Sequence, residues 1–415
     1  IYYLNVYKLK IINKISNIKT FMKNNLSFSD LSGNTLPKIS GVTIGVTHCG
    51  LKKKSKDDLV LILFEESSPI YGCFTKSKTP GESIKWNKSI IKFGKVSAIL
   101  INSGNANVFN GKKGELSQKR IINALSKIIN VKPREIYIAS TGVIGELLDE
   151  KKVISRLPFL VKNQTNTQSK WKQAAMAIGT TDKIEKFNGK VIEVGNKRIS
   201  ISGIAKGSGM IAPNMATMLA FIFTDANFIK SKPIKKIFLN AVDKTFNSIT
   251  VDGDTSTSDM VLMVAVKKQS NQLINLKRKE LNEFSISLED VMRNLAHKIV
   301  KDGEGAKKFI SIEVSNATTN KAAKLIAMSI ANSPLFKTAM AGEDSNWGRI
   351  IMAIGKAGVP IKQDVYELRK SPGLFDASGK PGAAQFFGPE QVDNLMLERE
   401  NILRSGLLDS FNRRR

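Results

Sequence analysis

Thr217 is the residue around which chemistry can be built. It stands in KGSGMIAPNMATMLAFIFTD, residues 206 to 225, just after a Pro-Asn turn and at the mouth of an apolar, β-prone run, Met218 to Phe223. Taken alone, a threonine there also reads as an ordinary strand opener. Acyl transfer asks for a nucleophile, a base, an oxyanion hole and a pocket for the entering and leaving amines. Were Thr217 a chain terminus, it would supply the first two. A terminal α-amine has a pKa of about 7.7–8 and can take the hydroxyl proton without a histidine. That economy suits a chain with two histidines, His48 and His297, which also disfavour a Ser-His-Asp triad and a His-rich metal site.

The string STGVIG, residues 140 to 145, follows a short apolar strand, Ile136 to Ala139. The Thr141 hydroxyl and Gly142 N–H suit an oxyanion hole, the glycine allowing close approach, although Ser-Thr-Gly is also plain turn composition. Other patterns fail on context. Gly207, Gly209 and Ala212 satisfy G-x-G-x-x-A, but Pro213-Asn214 and a strand-like run follow where a dinucleotide fold requires a helix. VDGDTSTSD (251–259) opens like a calcium loop, yet Thr257 and Met263 replace the required Gly and Glu. Ser89-Ile90-Ile91-Lys92 is an S-x-x-K with no partner motif.

AKGSGMIAPNMATML, residues 205 to 219, resembles the signature of the ornithine acetyltransferase family, also called the bifunctional glutamate N-acetyltransferases of arginine biosynthesis. GVTHCGLKKKSKDDLVLI resembles its opening, with His48 and Cys49 as departures, and SNWGRIIMAIGKAG ends the resemblance, which spans about residues 35 to 361. It implies self-cleavage between Ala216 and Thr217, with the released Thr217 as nucleophile, Thr141 and Gly142 as oxyanion donors, and Thr180, Lys206 and Glu304 with Thr217 as substrate ligands. Considered alone, Lys206 reads as a solvated lysine and Glu304 as a turn acid. The implied reaction moves acetyl from N-acetylornithine to glutamate by a ping-pong route through acetyl-Thr217, yielding ornithine and N-acetylglutamate. Use of acetyl-CoA as a further donor separates two family subtypes and stays open. No cofactor or metal is implied. The implied fold is α/β, layered sheets and helices like those of the self-processing aminopeptidases, and the implied assembly is a cytoplasmic α2β2 heterotetramer.

The chain is then expected to divide into a leader or disordered extension, 1–25, an α chain, 26–216, a β-chain core, 217–361, and a divergent tail, 362–415. The family's C-terminal Asn and Thr/Ser ligands are not assigned, because Asn401 and Ser405 sit in another context. Two further classes are weighed. A self-processed N-terminal-nucleophile amidase or aminopeptidase would pass its acyl group to water. A non-catalytic basic binding protein would be retained on nucleic acid and stay uncut.

Composition bears on the third. The chain has 415 residues, 64 Lys+Arg against 36 Asp+Glu, and a net charge of +28. Such an excess attracts nucleic acid, membrane surfaces or anionic substrates. Here the lysines are scattered and no nucleic-acid-binding motif accompanies them, so neither nucleic acid nor membrane is expected as a partner. No apolar run approaches the roughly 18 residues that span a bilayer. Residues 1 to 20 lack acids and also the Arg and Ser of a transit peptide; Met22 reads as a start. Cys49 and Cys73 read as small buried hydrophobes in a reducing compartment.

The elements that must position these residues follow from periodicity. Strands are expected at Leu59 to Phe64, Val96 to Ile101, Ile136 to Ala139, Met260 to Val266 and Ile310 to Val314, with a hairpin over Lys190 to Ala205 turning at Gly195-Asn196. Helices are expected through Ile121, Ile122, Leu125, Ile128 and Ile129, over 171 to 182, from Pro233, from a capping box at Ser287 and Asp290, over Ala322 to Ala331, and from Pro389 to about Leu403. Strands alternating with helices argue α/β layering.

Overall fold

The computed structural model describes residues 3–6, 18–23, 36–52, 56–194, 197–212, 218–228, 231–268, 273–274, 278–314, 317–344, 346–361, 368–370 and 384–386. They fall in two compact units, Ser27–Ala306 and a second made of Ile1–Leu26 with Lys307–Arg415.

The first unit is built on a mixed sheet in the order Ile136–Val143, Lys95–Asn105, Leu59–Phe74, Met260–Ala265, Leu219–Thr224, Lys197–Lys206, Lys186–Val194, with Val42–Thr47 paired to Leu59–Phe74. Alternate residues of these strands face opposite sides, the period-2 rule of a pleated chain. Val60, Ile62, Ile99, Ile101, Tyr137 and Ala139 from one half meet Ile204, Leu219, Phe221, Phe223, Leu262 and Val264 from the other in one core. Phe64 and Phe223 meet across it with tilted rings, centroids 6.2 Å apart. The sheet thus folds back along Leu59–Phe74, whose first half pairs with Val42–Thr47 and Lys95–Asn105 and whose last residues pair with Met260–Ala265. A register shift between Leu63 and Ser68 bends the strand there.

Helices cover the outer faces. Ile121, Ile122 and Leu125 of Gly111–Ile129, with Val153, Leu157 and Leu160 of Glu150–Lys162, pack on Leu59, Leu61, Ala98, Leu100, Ile136 and Ile138. Arg278–Lys301 packs on the strands Lys186–Val194 and Lys197–Lys206. In the second unit, Phe309–Val314 pairs with Tyr3–Val6 and Ile18–Lys23, and its buried Ile310, Ile312 and Val314 meet Asn320–Ala331, Pro334–Ala341 and Trp347–Gly355. Side chains of Thr319 and Ser333 cap two of those helices by accepting from Ala322 N and Phe336 N.

The α/β layering matches the expectation, and five details correct it. The helix expected over 171 to 182 runs from Gln168 to Ala177 and leaves Thr180 and Asp182 outside it. The strand expected at Leu59 to Phe64 runs on to Phe74, because Glu65 to Ser67 lie in the bend rather than ending it. The strand expected to stop at Ile101 continues through the Asn-Ser-Gly run to Asn105, where Gly104 at φ +105° accommodates a second irregularity. The helix expected from Ser287 begins at Arg278, so Ser287 and Asp290 lie within it and cap nothing; Leu288, Val291, Met292 and Leu295 are buried as the periodicity requires. Ile128 is exposed on an otherwise inward helical face. The turn at Gly195-Asn196, Pro389 to Leu403, Asn401 and Ser405 lie outside the described residues.

Candidate active site

Lys206 ends the strand Lys197–Lys206 with its side chain in the interior, 3% exposed. Its Nζ donates to Thr141 Oγ1 at 3.0 Å and to Thr180 Oγ1 at 3.3 Å. An ammonium can only donate, so each threonine oxygen accepts from it and keeps its own hydrogen for another acceptor. Burial pushes the Lys206 pKa down, partly offset by the charges of Asp182, Asp259 and Glu304. Three residues that the sequence marks, from positions 141, 180 and 206, thus meet at one cation.

Thr141 and Gly142 end the parallel pair formed with Lys95–Asn105, opposite Ser103 and Gly104. Gly142 has φ +131°, and a Cβ there would lie 2.3 Å from the Gly104 carbonyl carbon, so only glycine fits. Upstream, Ser140 Oγ donates to Asn102 Oδ1 at 2.7 Å, and Asn102 Nδ2 donates to the Asn105 carbonyl at 2.8 Å, fixing the polar ends of both strands. The helix Gln168–Ala177 stops just before Thr180; Lys52 Nζ at 2.7 Å and Ser103 Oγ at 2.5 Å both donate to the Ala177 carbonyl. Burial, outweighing Asp58 and Asp182, lowers the Lys52 amine to about 8.

Beneath the cation runs a buried charge network that composition does not announce. Asp182 accepts from Thr180 N at 3.0 Å, Gly207 N at 2.7 Å and Lys186 Nζ at 2.6 Å, so one carboxylate holds a residue on either side of the cation. Burial works against its charge, but Lys186, Lys206 and the Gly207 N–H outweigh that and hold it well below the usual carboxylate range. Lys186, fully buried, also donates to Asp302 Oδ2, which accepts from Lys183 N at 2.9 Å. Ser208 Oγ donates to the Asp302 carbonyl at 2.8 Å and Glu304 N donates to the Ser208 carbonyl at 3.0 Å. That contact seats the Glu304 carboxylate on Gly209, where a Cβ would lie 2.7–2.8 Å from its carboxyl atoms.

Ala216 and Thr217 lie outside the described residues, but both flanks are placed. Asp252 accepts from Met210 N and Ile211 N, Thr255 Oγ1 donates to the Ala212 carbonyl at 3.2 Å, and Asp259 accepts from Met218 N at 2.9 Å. All three come from VDGDTSTSD, which holds no calcium-loop pattern and instead clamps the segment before and after 213–217. The strand-like run expected after the glycines is the strand Leu219–Thr224; Pro213 and Asn214 lie outside the described residues.

The sequence missed Asp182, Lys186, Asp252, Asp259 and Asp302. The only signal for them is acid-rich polar text at the ends of apolar runs. Cys49 is buried and Cys73 half-buried, both free. Burial and Asp58 push the Cys49 thiol up to about 12. Its amide and those of Gly50, Leu51 and Lys52 all donate to Asp58, so the 48–52 loop is a fastened turn.

Folded sheets with an internal ammonium, two threonine hydroxyls and a glycine-lined strand end form a site suited to a carboxylate-bearing ligand undergoing acyl transfer. The chain belongs to the ArgJ family, whose model matches residues 43–403, beyond the point near Ile361 where the sequence resemblance alone fades. It is 46% identical over 331 residues to the arginine biosynthesis bifunctional protein ArgJ of Bartonella henselae and 44% identical over 333 residues to that of Bartonella quintana, covering 80% of each chain in both cases. Among solved structures it is similar to argJ from Bacillus halodurans (28% identity, TM-score 0.41, 48% of this chain and 99% of that one). It is also similar to ornithine acetyltransferase complexed with ornithine from Mycobacterium tuberculosis (23% identity, TM-score 0.38, 43% and 95%).

Proposed function

We propose that the chain cuts itself between Ala216 and Thr217, and that Thr217 then carries acetyl from N-acetylornithine to glutamate. Membership of the ArgJ family supports the frame, an acetyltransferase of arginine biosynthesis working between ornithine and glutamate. The observation that carries the site is Lys206, buried and hydrogen-bonded to Thr141 and Thr180 on the strand that leads into residues 207–217.

In the cut, the Thr217 hydroxyl adds to the Ala216 carbonyl, the C–N bond breaks to leave an ester and a free α-amine, and water opens the ester to the Ala216 carboxylate. In turnover, that amine takes the hydroxyl proton as the oxygen attacks the acetyl carbonyl, then hands it to the departing α-amine of ornithine. Glutamate's amine attacks the acetyl ester, restoring Thr217 and releasing N-acetylglutamate. The Thr141 O–H and Gly142 N–H serve the oxyanion of both steps. Lys206 and Thr180 receive the substrate α-carboxylate, and Glu304 receives the side-chain ammonium of ornithine. No cofactor enters this scheme, and acetyl-CoA is an optional second donor. The α and β chains assemble as a cytoplasmic α2β2 heterotetramer.

A denaturing gel with N-terminal sequencing tests the scheme. Two fragments are expected, the smaller beginning Thr-Met-Leu-Ala, with Thr217→Ala uncut and inactive. An active Thr217→Ala variant, or release of free acetate without transfer to glutamate, overturns it.

A further inference from the structure

Asp259 is the last residue of the 251–259 loop and precedes the strand Met260–Ala265. It is fully buried. Its carbonyl accepts from Thr75 N at 3.0 Å, so its backbone is fixed by a neighbour far away in the chain. Its Oδ1 accepts from Met218 N at 2.9 Å. On the other side of Met218, the carbonyl accepts from Met260 N at 3.1 Å, and from Leu219 onward the two strands run as a regular parallel ladder. Met218 is therefore held at both backbone groups. Its carbonyl is held by the ladder, and its N–H by a side chain standing where the ladder ends.

That N–H belongs to the peptide bond joining Thr217 to Met218. We propose that Asp259 is a positioning residue, fixing the plane of this peptide and with it the aim of the Thr217 hydroxyl and, after the cut, of its α-amine. The inference rests on Thr217 being the nucleophile.

Strand fastening alone does not account for a carboxyl group here. A hydroxyl or amide acceptor would fasten the strand without the cost of burying a carboxyl group. Burial pushes the acid's pKa well above its usual range, against the pull of the Met218 N–H and the Lys206 charge, so the group is kept at a stability cost. The neighbouring Asp252 clamps Met210 N and Ile211 N in the same manner. One loop thus sets the entrance and the exit of the segment that carries the reacting bond. In acyl transfer, small displacements of the attacking atom are expensive. An ångström can cost about a hundredfold in rate.

The test uses the full-length chain carrying Asp259→Ala or Asp259→Asn. It follows thermal melting, the intact fraction on a denaturing gel against time, and kcat and KM of the cut material with N-acetylornithine and glutamate. D259A is expected to fold and to accumulate uncut chain, self-cleavage slowing roughly tenfold or more. Its cut fraction loses kcat by a similar factor, with KM within about twofold. D259N keeps an acceptor at Oδ1 and recovers both rates to within about threefold of wild type, a rescue that simple core damage would not show. D259A cutting and turning over at the wild-type rate overturns the inference, and leaves the nucleophile assignment standing. D259N as impaired as D259A also overturns it, because charge and not the Met218 hydrogen bond would then be the operative property. Should D259A not fold, D259N decides alone: rates near wild type support the role, and a folded but uncut D259N refutes it. A wild-type chain that never cuts overturns the reading of Thr217 and this inference together.

Discussion

The Lys206 ammonium reaches the Thr141 hydroxyl at 3.0 Å, although four strands separate their two strands in the hydrogen-bonded order of the sheet. The contact exists because the sheet folds back along Leu59–Phe74 around a shared core. It leaves the Thr141 hydrogen available for an oxyanion. Thr141→Val keeps the shape and removes that donor. The expected result is a loss in kcat on the order of a hundredfold, with KM changed far less, measured in steady-state transfer from N-acetylornithine to glutamate. A kcat within threefold of wild type would remove Thr141 from the oxyanion hole.

Gly209 leaves the space that the Glu304 carboxylate fills. A methyl group there displaces the carboxylate rather than backbone, so Gly209→Ala is expected to fold normally and to raise KM for N-acetylornithine more than for glutamate. Equal effects on the two substrates would separate Glu304 from ornithine recognition.

Lys186 sits buried between Asp182 and Asp302. Lys186→Met leaves two buried carboxylates without their cation, and breaking such a pair costs about 3–5 kcal/mol. Chemical denaturation is expected to report a loss of that size. Adding Asp302→Asn to it is expected to recover part of the loss, since one orphan charge is then gone. A Lys186→Met variant as stable as wild type would show that the network contributes nothing to the fold.

His297 is held neutral in the fold. Burial, then Lys301 and Arg293, lower its pKa to about 3 from 6.5. Unfolded chains bind the proton more readily in that window, so stability is full above pH 6.5 and falls as pH drops toward 3. Between pH 6.5 and 5 the contribution is about 2 kcal/mol, from about 1.4 kcal/mol per pH unit. The chain has only one other histidine, so His297→Asn should flatten the slope of stability against pH in that range. An unchanged slope would mean the ring titrates in the folded protein.

Much of the architecture was legible because burial imposes a period. Strand cores such as Met260–Ala265 are buried at every residue, and Phe309–Val314 buries every second one, and both patterns are written in the residue types. What misled was local polarity. Glu65 to Ser67 lie past the expected strand end but occupy a bend within one long strand, and Ser287 with Asp290 suggested a cap but sit inside a helix that starts at Arg278. Polar side chains occur at a bend, where Glu65 is exposed, and inside a helix, where Ser287 is buried and Asp290 half-buried, so residue type cannot separate either from a true terminus.

By itself the sequence determined the chemistry on offer. It supplied a threonine after a glycine-rich stretch and before a strand, a Thr-Gly pair ending another strand, and only two histidines, which disfavour a Ser-His-Asp triad. Only the tertiary structure decided that Thr141 and Thr180 meet at the buried Lys206 ammonium, and that Asp182, Lys186, Asp302 and Asp259 hold the chain around it. The physical reason is distance along the chain. A buried charge is tolerable only when groups from remote strands converge to pair with it. That convergence comes from how the sheet folds over its core, which no local pattern of residues encodes.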